Sequence, residues 1–482
     1  MAPAQQDAAF GIQPQRSSEP PVQEQKTQVI IIGGGLSGLQ AAHDLQAAGI
    51  SCLILEARDR VGGKLWSVPL GSEKGYVELG GAWTNDVNQP MVTALVKKFG
   101  LEMVTQNIIG DCVLEDHGRF LYGSDPPLSQ EDKAIFAEIR SRVEALCHAV
   151  KATELGQSLT KHGEMNMDDF AVSMGASNIV RRLVNIWTAA MLGVESNQVS
   201  AVFFMHYCQT GGGLIQMRSD GKGGGQSMRF RHGTQSLCYG LRNGLKPETV
   251  ICSTPVQTIQ QDISSGCLVI ARDGRRFRSD RIISTIPSVF LSQINILPPL
   301  SADKCWLSTH SKLGFYAKVF LVYSEPWWRK LGLCGLAQGL SGPVALTRDA
   351  SINEDGLFAL ICFVVGQKGA EWAQKDAKER LIEVIAHVDR IYGKDIPLPL
   401  ETREQIWSNE EFSQGAPCPV VPASCLRSLS QDQWRPEGYI HFAGTETSTV
   451  WKGYMEGALV SGSRAAGEII DILSTCTDQA AQ

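Results

Sequence analysis

Short runs of continuously apolar residues alternate along the chain with longer stretches in which apolar residues recur every three or four positions. Val29–Ile32 and Cys52–Leu55 are apolar throughout, as parallel strands buried on both faces are, and the segment between them has helical spacing. Residues 268–274 (LVIARDG) and 281–287 (RIISTIP) predict further strands. Residues 91–99 read as a helix stopped by Gly100, 101–104 begin an extended piece, and 111–125 alternate around His117-Gly118 as a hairpin or meander does. From Ser129 to about Thr210 the period turns helical, with Ile135, Ile139, Val143 and Leu146 recurring on one face, and glycine clusters at 211–213 and 221–225 close that block. Residues 313–323 and 357–365 read as strands. Residues 370–392 predict one long amphipathic helix with Leu381, Val384, Ile385 and Val388 on its apolar face and Gly393 at its end. A strand within 438–443 and a helix from Lys452 through Leu473 complete the chain, and no repeat is visible at any period.

Between the first two strands stands Gly33-x-Gly35-x-x-Gly38, and the second strand ends at Glu56. Gly33 permits the tight turn, Gly35 lets the backbone approach a pyrophosphate, and Gly38 lets helix and strand pack closely. Phosphate oxygens then sit on the helix N-terminus, at Leu36 and Ser37. Glu56 follows Gly38 by 18 residues, where a carboxylate accepts hydrogen bonds from both ribose hydroxyls and repels a 2′-phosphate. A glycine-rich turn alone is compatible with no ligand. Strand, helix, second strand and acid in that order point to a dinucleotide.

At 482 residues the chain is longer than one hydrophobic core comfortably organises, so two interleaved domains are expected. A content of 43% hydrophobic and 20% charged residues fits an ordinary globular enzyme, and a net charge of −6 with no long basic run argues against a nucleic-acid partner. Thirteen cysteines without CxxC pairs fit free thiols in a reducing compartment better than a disulfide framework or a metal site. Residues 1–27, rich in Gln, Pro, Ser and Ala, read as a disordered tail without a signal-peptide core. No stretch approaches a membrane span and the ending lacks Ser-Lys-Leu, so a cytoplasmic protein without a membrane partner is expected. Lys318 opens the apolar run 319–323; by spacing alone such a lysine snorkels to water.

Beyond Glu56 the chain reads Ala57-Arg58-Asp59-Arg60-Val61-Gly62-Gly63-Lys64, and later Gly80-Gly81-Ala82-Trp83. Here the sequence resembles the flavin amine oxidases, the monoamine oxidase family, in which these two motifs contact FAD. The family usually has Arg where Lys64 stands, so a point charge replaces a bidentate fork. The resemblance covers about residues 28–475 and implies an α/β + α fold: a Rossmann-like FAD-binding domain (28–110, 214–310, 400–475) interleaved with an α+β substrate domain (111–213, 311–399), in an amine oxidase/p-hydroxybenzoate hydroxylase-like topology, with residues 476–482 as a tail. It places a backbone contact to adenine at Val256, and puts Lys318, before the Glu325-Pro326-Trp327 turn, where the family lysine holds a water against flavin N5.

The remaining motifs lie near the C-terminus. Trp407 and Gly415 align with the segment that carries a cysteine to the flavin in covalent members; Ala416 stands at that position and Cys418 lies two residues on, which implies non-covalent FAD. Gly444-Thr445-Glu446 and Gly453-Tyr454-Met455 match the family's FAGTET and GYMEGA patterns, which set a helix N-terminus near the pyrimidine end of the flavin. Tyr454 matches one wall of an aromatic cage around the substrate amine, and Pro417 replaces the other. Phe203, Tyr207, Thr210, Pro417 and Trp451 are candidate substrate contacts. The implied reaction is oxidation of an amine to an imine, hydrolysed to a carbonyl compound and an amine or ammonia, with dioxygen reduced to peroxide. An L-amino-acid or polyamine oxidase, or an oxidase or desaturase of a secondary or ring amine in a biosynthetic pathway, stays open, as does a flavin-binding non-oxidase or interaction protein. Oligomeric state is open between monomer and homo-oligomer.

Overall fold

The computed structural model describes residues 24–71, 75–149, 165–393, 396–421 and 434–480. Five parallel strands form the sheet at the base of the nucleotide half, in the order Val250–Ile251, Cys52–Leu55, Val29–Ile32, Arg281–Ser284, Ile440–Phe442. Every residue of Val29–Ile32 and Cys52–Leu55 is buried, because this sheet is covered on both faces. On one face the helix Leu36–Ala47 packs against the C-terminal helix Met455–Ala480; Ser37 Oγ donates to the Ala458 carbonyl at 2.6 Å. On the other lies a second five-stranded sheet, Glu24–Lys26, Arg276–Ser279, Gly266–Ala271, Val256–Asp262, Asn295–Leu297.

The substrate half is built on a seven-stranded sheet ordered Glu401–Ile406, Tyr316–Tyr323, Phe358–Val365, Val344–Asp349, Leu333–Gln338, Asp111–Leu114, Gly118–Leu121. Helices Gln130–Ala149, Met167–Ser173, Asn178–Leu192 and Ala201–Thr210 pack on one of its faces, where they share a core with Phe320, Ile361 and Phe363. The three-stranded sheet Trp83–Thr84, Met228–Phe230, Met103–Thr105 adds to the architecture. The fold is therefore a Rossmann-like nucleotide half interleaved with an α+β substrate half. Among the described residues no helix is long and apolar enough to cross a membrane.

Several elements differ from expectation. The helix expected at 370–392 is two helices, Gly366–Trp372 and Ala377–Tyr392, because the Asp376 carboxylate caps a new start by accepting from the Lys378 and Glu379 amides at 2.9 Å. Gly393 ends the second in the left-handed conformation, φ 67°. Strand 313–323 begins only at Tyr316, since the Gly314 carbonyl is turned to the Ala416 amide. The tail reading of 1–27 fails at its end: Glu24–Lys26 pairs in parallel with residues 276–278, and Glu24 bridges Arg276 and Arg278. Residues 1–23 lie outside the described residues, as do 150–164 of the expected helical block. The last helix starts at Met455 rather than Lys452 and runs to Ala480, through the expected tail. The nucleotide segment expected from residue 400 also starts too early, because Glu401–Ile406 is the edge strand of the substrate sheet.

Candidate active site

One cavity of about 410 Å³ runs between the two halves. Its nucleotide end is shaped by glycines. A Cβ on Gly38 would collide with the Gly33 carbonyl, which is how the helix comes so close to the strand; Gly33 itself has φ 106°. Gly35 and Gly63 instead face each other backbone to backbone, a Cβ on Gly35 coming no nearer to any atom than Gly63 Cα at 3.9 Å, ordinary contact without a clash. Gly38 is thus a packing residue behind the cavity wall, whereas Gly33, Gly35, Leu36, Ser37, Gly62 and Gly63 line it. Buried Glu56 also lines it, with its carboxylate held by the Gly34 amide at 2.6 Å and the Arg58 amide at 2.8 Å. Arg58 pairs with Glu410 at 3.2 Å, so its charge is already shared. A glycine-lined bed at a helix N-terminus, a fixed acid and Val256 farther along suit a dinucleotide phosphate and ribose.

Lys64 has a structural task as well. Its Nζ donates to the carbonyls of Ala416 at 2.9 Å and Pro417 at 3.0 Å, and burial pushes its ammonium down to about 8. At the opposite rim, Glu446 lines the cavity and accepts from the Ser288 amide and, at 3.0 Å, from Ser288 Oγ. Thr445 Oγ1 donates to the Tyr454 carbonyl at 2.9 Å, tying the turn at Gly444 to the start of the last helix. Met455 lines the cavity too, and Glu456 next to it accepts from the Met91 and Val92 amides, capping the helix Pro90–Phe99.

In the middle of the cavity the substrate sheet presents a row of side chains set by strand register. Lys318 pairs with Phe363 and Phe363 with Leu346, so the three lie side by side on one face. Lys318 does not snorkel: it is 4% exposed, its Nζ donates to the carbonyls of Gly80 and Glu78, and it stands 5.3 Å from the Trp83 ring centre and 5.5 Å from that of Phe363. Burial pushes its ammonium down to about 7, against a smaller opposing pull from Glu78. Gly80, Gly81, Ala82 and Trp83 line the same stretch, as does Trp407, whose Nε1 donates to the Leu79 carbonyl at 2.7 Å.

At the far end stand Tyr454, Tyr207, Tyr316 and Pro417. The Tyr454 hydroxyl accepts from Gln226 Nε2 at 3.2 Å and donates to the Met217 carbonyl at 3.3 Å. Phe203, Thr210 and Trp451 do not face the cavity. Phe203 is buried in the helical core, Thr210 Oγ1 accepts from the Lys452 amide, and Trp451 donates to the Asn88 carbonyl while packing edge-on against Tyr454 at 5.0 Å. They brace the wall instead of forming it. Ala416 is fully buried behind the wall, and Cys418, also buried, has its thiol pushed up to about 12 by burial.

Sequence reasoning missed Tyr316, Phe363, Gln226, Arg218 and Arg348, all of which line the cavity. A signal existed for some of them. Tyr316 and Lys318 alternate on one strand, as Leu346 and Arg348 do on another, so assigning one cavity-facing residue predicts its neighbour two positions away.

The family model of flavin containing amine oxidoreductases matches residues 36–470. The chain is 30% identical over 453 residues to a probable flavin-containing monoamine oxidase A of Dictyostelium discoideum, with 92% of this chain and 98% of that protein covered. It is 29% identical over 453 residues to the flavin-containing amine oxidase B of Sus scrofa, with 92% and 86% covered. Among solved structures, a putrescine oxidase bound to putrescine matches with a TM-score of 0.85 at 25% identity, over 93% of this chain and 100% of that one. Cyclohexylamine oxidase from Brevibacterium oxydans IH-35A gives 0.86 at 26% identity, over 93% and 99%. The glycine-lined cradle, the buried lysine and similarity along nearly the whole chain agree: the chain belongs to the flavin-containing amine oxidoreductases, and it is an enzyme that oxidises amines with a flavin.

Proposed function

We propose that this protein is an oxidase that holds FAD without a covalent bond and passes the electrons of an amine to dioxygen. The observation that carries the reading is the single cavity that begins at the bed of Glu56, Gly35 and Gly63, passes buried Lys318 and ends at Tyr454. When bound, the flavin supplies acceptance of two electrons from a C–H bond next to nitrogen. The residues of the chain do the rest. The glycine bed, Leu36 and Ser37, Glu56 and Val256 would hold the dinucleotide. Tyr454, fixed by Gln226 and Met217, orients the nitrogen lone pair of a neutral amine. Lys318 can hold or release a proton near neutral pH and keep a water in place.

The overall change balances as amine to imine with loss of two electrons and two protons. Dioxygen takes these up as hydrogen peroxide, and water converts the imine to a carbonyl compound and ammonia or a smaller amine. Non-covalent attachment is supported by Ala416 and by the buried position of Cys418 behind the cavity wall. Free thiols, ten of the eleven described being buried or half-buried, support a cytoplasmic place of work.

The test is anaerobic mixing of the purified holoenzyme with primary, secondary and ring amines while flavin absorbance is followed. Bleaching by an amine, with colour restored and peroxide released on admitting air, is expected; a flavin that no amine bleaches but dithionite does would sink the oxidase reading. Acid precipitation should leave the flavin in the supernatant as FAD. Yellow colour retained in the pellet would show a covalent bond instead.

A further inference from the structure

Past Tyr454 the cavity wall turns cationic. Arg218, the last residue of the short helix Leu214–Arg218, and Arg348, on the strand Val344–Asp349, both line it. The Arg348 side chain is 12% exposed and forms an ion pair with Asp220, 4% exposed, whose amide donates to the Tyr122 hydroxyl at 2.6 Å. Half-buried Arg218 has its guanidinium 5.5 Å from the Trp187 ring centre, and among the described residues no carboxylate pairs with it. Two guanidinium groups against one carboxylate leave this end with a net positive charge.

The acids that line the cavity, Glu56, Glu411 and Glu446, all come from segments at the nucleotide end; the substrate end presents none among the described residues. Withdrawing an unpaired guanidinium from water is costly, and the strain shows in Arg218, which burial and its neighbour Arg348 push down to about 10. An anion placed there would relieve the cost and accept a bidentate pair of hydrogen bonds. Both arginines also act electrostatically on the Tyr454 hydroxyl, so the cation lobe and the amine-orienting phenol belong to one chamber.

We infer that the Arg218–Arg348 end of the cavity binds the carboxylate of an amine substrate, so that the enzyme prefers amino acids to plain monoamines and rejects diamines. This rests on the amine-oxidase reading for the other end of the substrate. It also removes the polyamine alternative on physical grounds, because a second ammonium would meet Arg218 where it needs an acid.

Two measurements on the holoenzyme test the inference. The first is equilibrium binding, by calorimetry or by perturbation of the flavin spectrum, of simple carboxylates (acetate, butyrate, benzoate) against their neutral amides. Saturable carboxylate binding is expected, weakened at least tenfold in Arg218→Met and only partly restored in Arg218→Lys, which keeps the charge but not the fork. The second compares kcat/KM for α-amino acids, ω-amino acids, monoamines and diamines of matched length. Amino acids are expected first and diamines last, with Arg218→Met raising the amino-acid KM far more than it lowers kcat; whether α or ω members lead gives the spacing between amine and carboxylate.

Wild-type enzyme that oxidises monoamines or diamines best and binds no carboxylate would overturn the inference while leaving the oxidase reading in place. Arg218-dependent carboxylate binding in an enzyme that no amine reduces would do the reverse. Carboxylate binding that is unchanged in Arg218→Met would also overturn the assignment.

Discussion

Replacing Lys318 by methionine is expected to slow the reaction of the reduced holoenzyme with dioxygen by about a hundredfold, the loss expected for one positioned proton-transfer group. Methionine keeps the volume in a strand whose every residue is buried, so the sheet should survive the change. Stopped-flow mixing of anaerobically reduced enzyme with oxygenated buffer measures the step directly. The pH profile identifies the group. Burial holds the Lys318 ammonium near 7, so the neutral amine dominates above that pH and the ammonium below it. A step that needs the amine should therefore accelerate as pH rises through about 7, and that limb should vanish in the methionine variant. Lys318→Arg should not restore it, because a guanidinium stays charged throughout. A variant that reoxidises at the wild-type rate would remove Lys318 from the mechanism.

Asp349→Ala is expected to cost about 3 to 5 kcal/mol of stability, the range for removing one partner of a buried charge pair. The Asp349 carboxylate is fully buried and takes hydrogen bonds from Arg329 Nε at 2.6 Å, Trp328 Nε1 at 2.9 Å, Asn107 Nδ2 at 3.2 Å and the Ser351 amide at 2.8 Å. Truncation leaves all four donors without that acceptor at the end of the strand that carries Arg348. Urea denaturation measures the loss, and Asp349→Asn, which keeps the shape, should lose less. Burial alone would raise this carboxyl, but Arg329, Ser351 and Trp328 outweigh it and hold it below its ordinary value. Its folded pKa is depressed, so its contribution is complete above the unfolded value of about 4 and disappears as pH falls through the folded one. The wild type should therefore lose more stability than Asp349→Ala does on acidification below about pH 4.

What could be read from the chain differs between its two halves for a physical reason. The glycine turn and its acid are a local property: Gly33, Gly35, Gly38 and Glu56 lie within one strand–helix–strand unit, and short-range rules are enough to place them. The substrate end is assembled by register across strands far apart in the chain. Lys318, Phe363 and Leu346 become neighbours only through that pairing, and Arg218 arrives from a short helix after a glycine turn. Nothing in the spacing around Arg218 or Arg348 sets them apart from surface arginines. Likewise Phe203 and Trp451 are aromatic in the right neighbourhood, but which way each points depends on helix packing that one sequence does not specify. The break at Asp376 was visible as a capping residue, yet the apolar period on either side concealed it.

The interleaving has a consequence for the order in which the protein is made. The parallel strand Ile440–Phe442 sits beside Arg281–Ser284, and Ser37 is bonded to Ala458 and Ser461 from more than four hundred positions away. The unit Val29–Glu56 thus lacks the helix that covers one face of its sheet until Met455–Ala480 has been made. Folding of the cradle is dominated by distant contacts, and slow on that account. A nascent chain stalled before residue 440 should remain open to protease across residues 29–56, however much FAD is supplied.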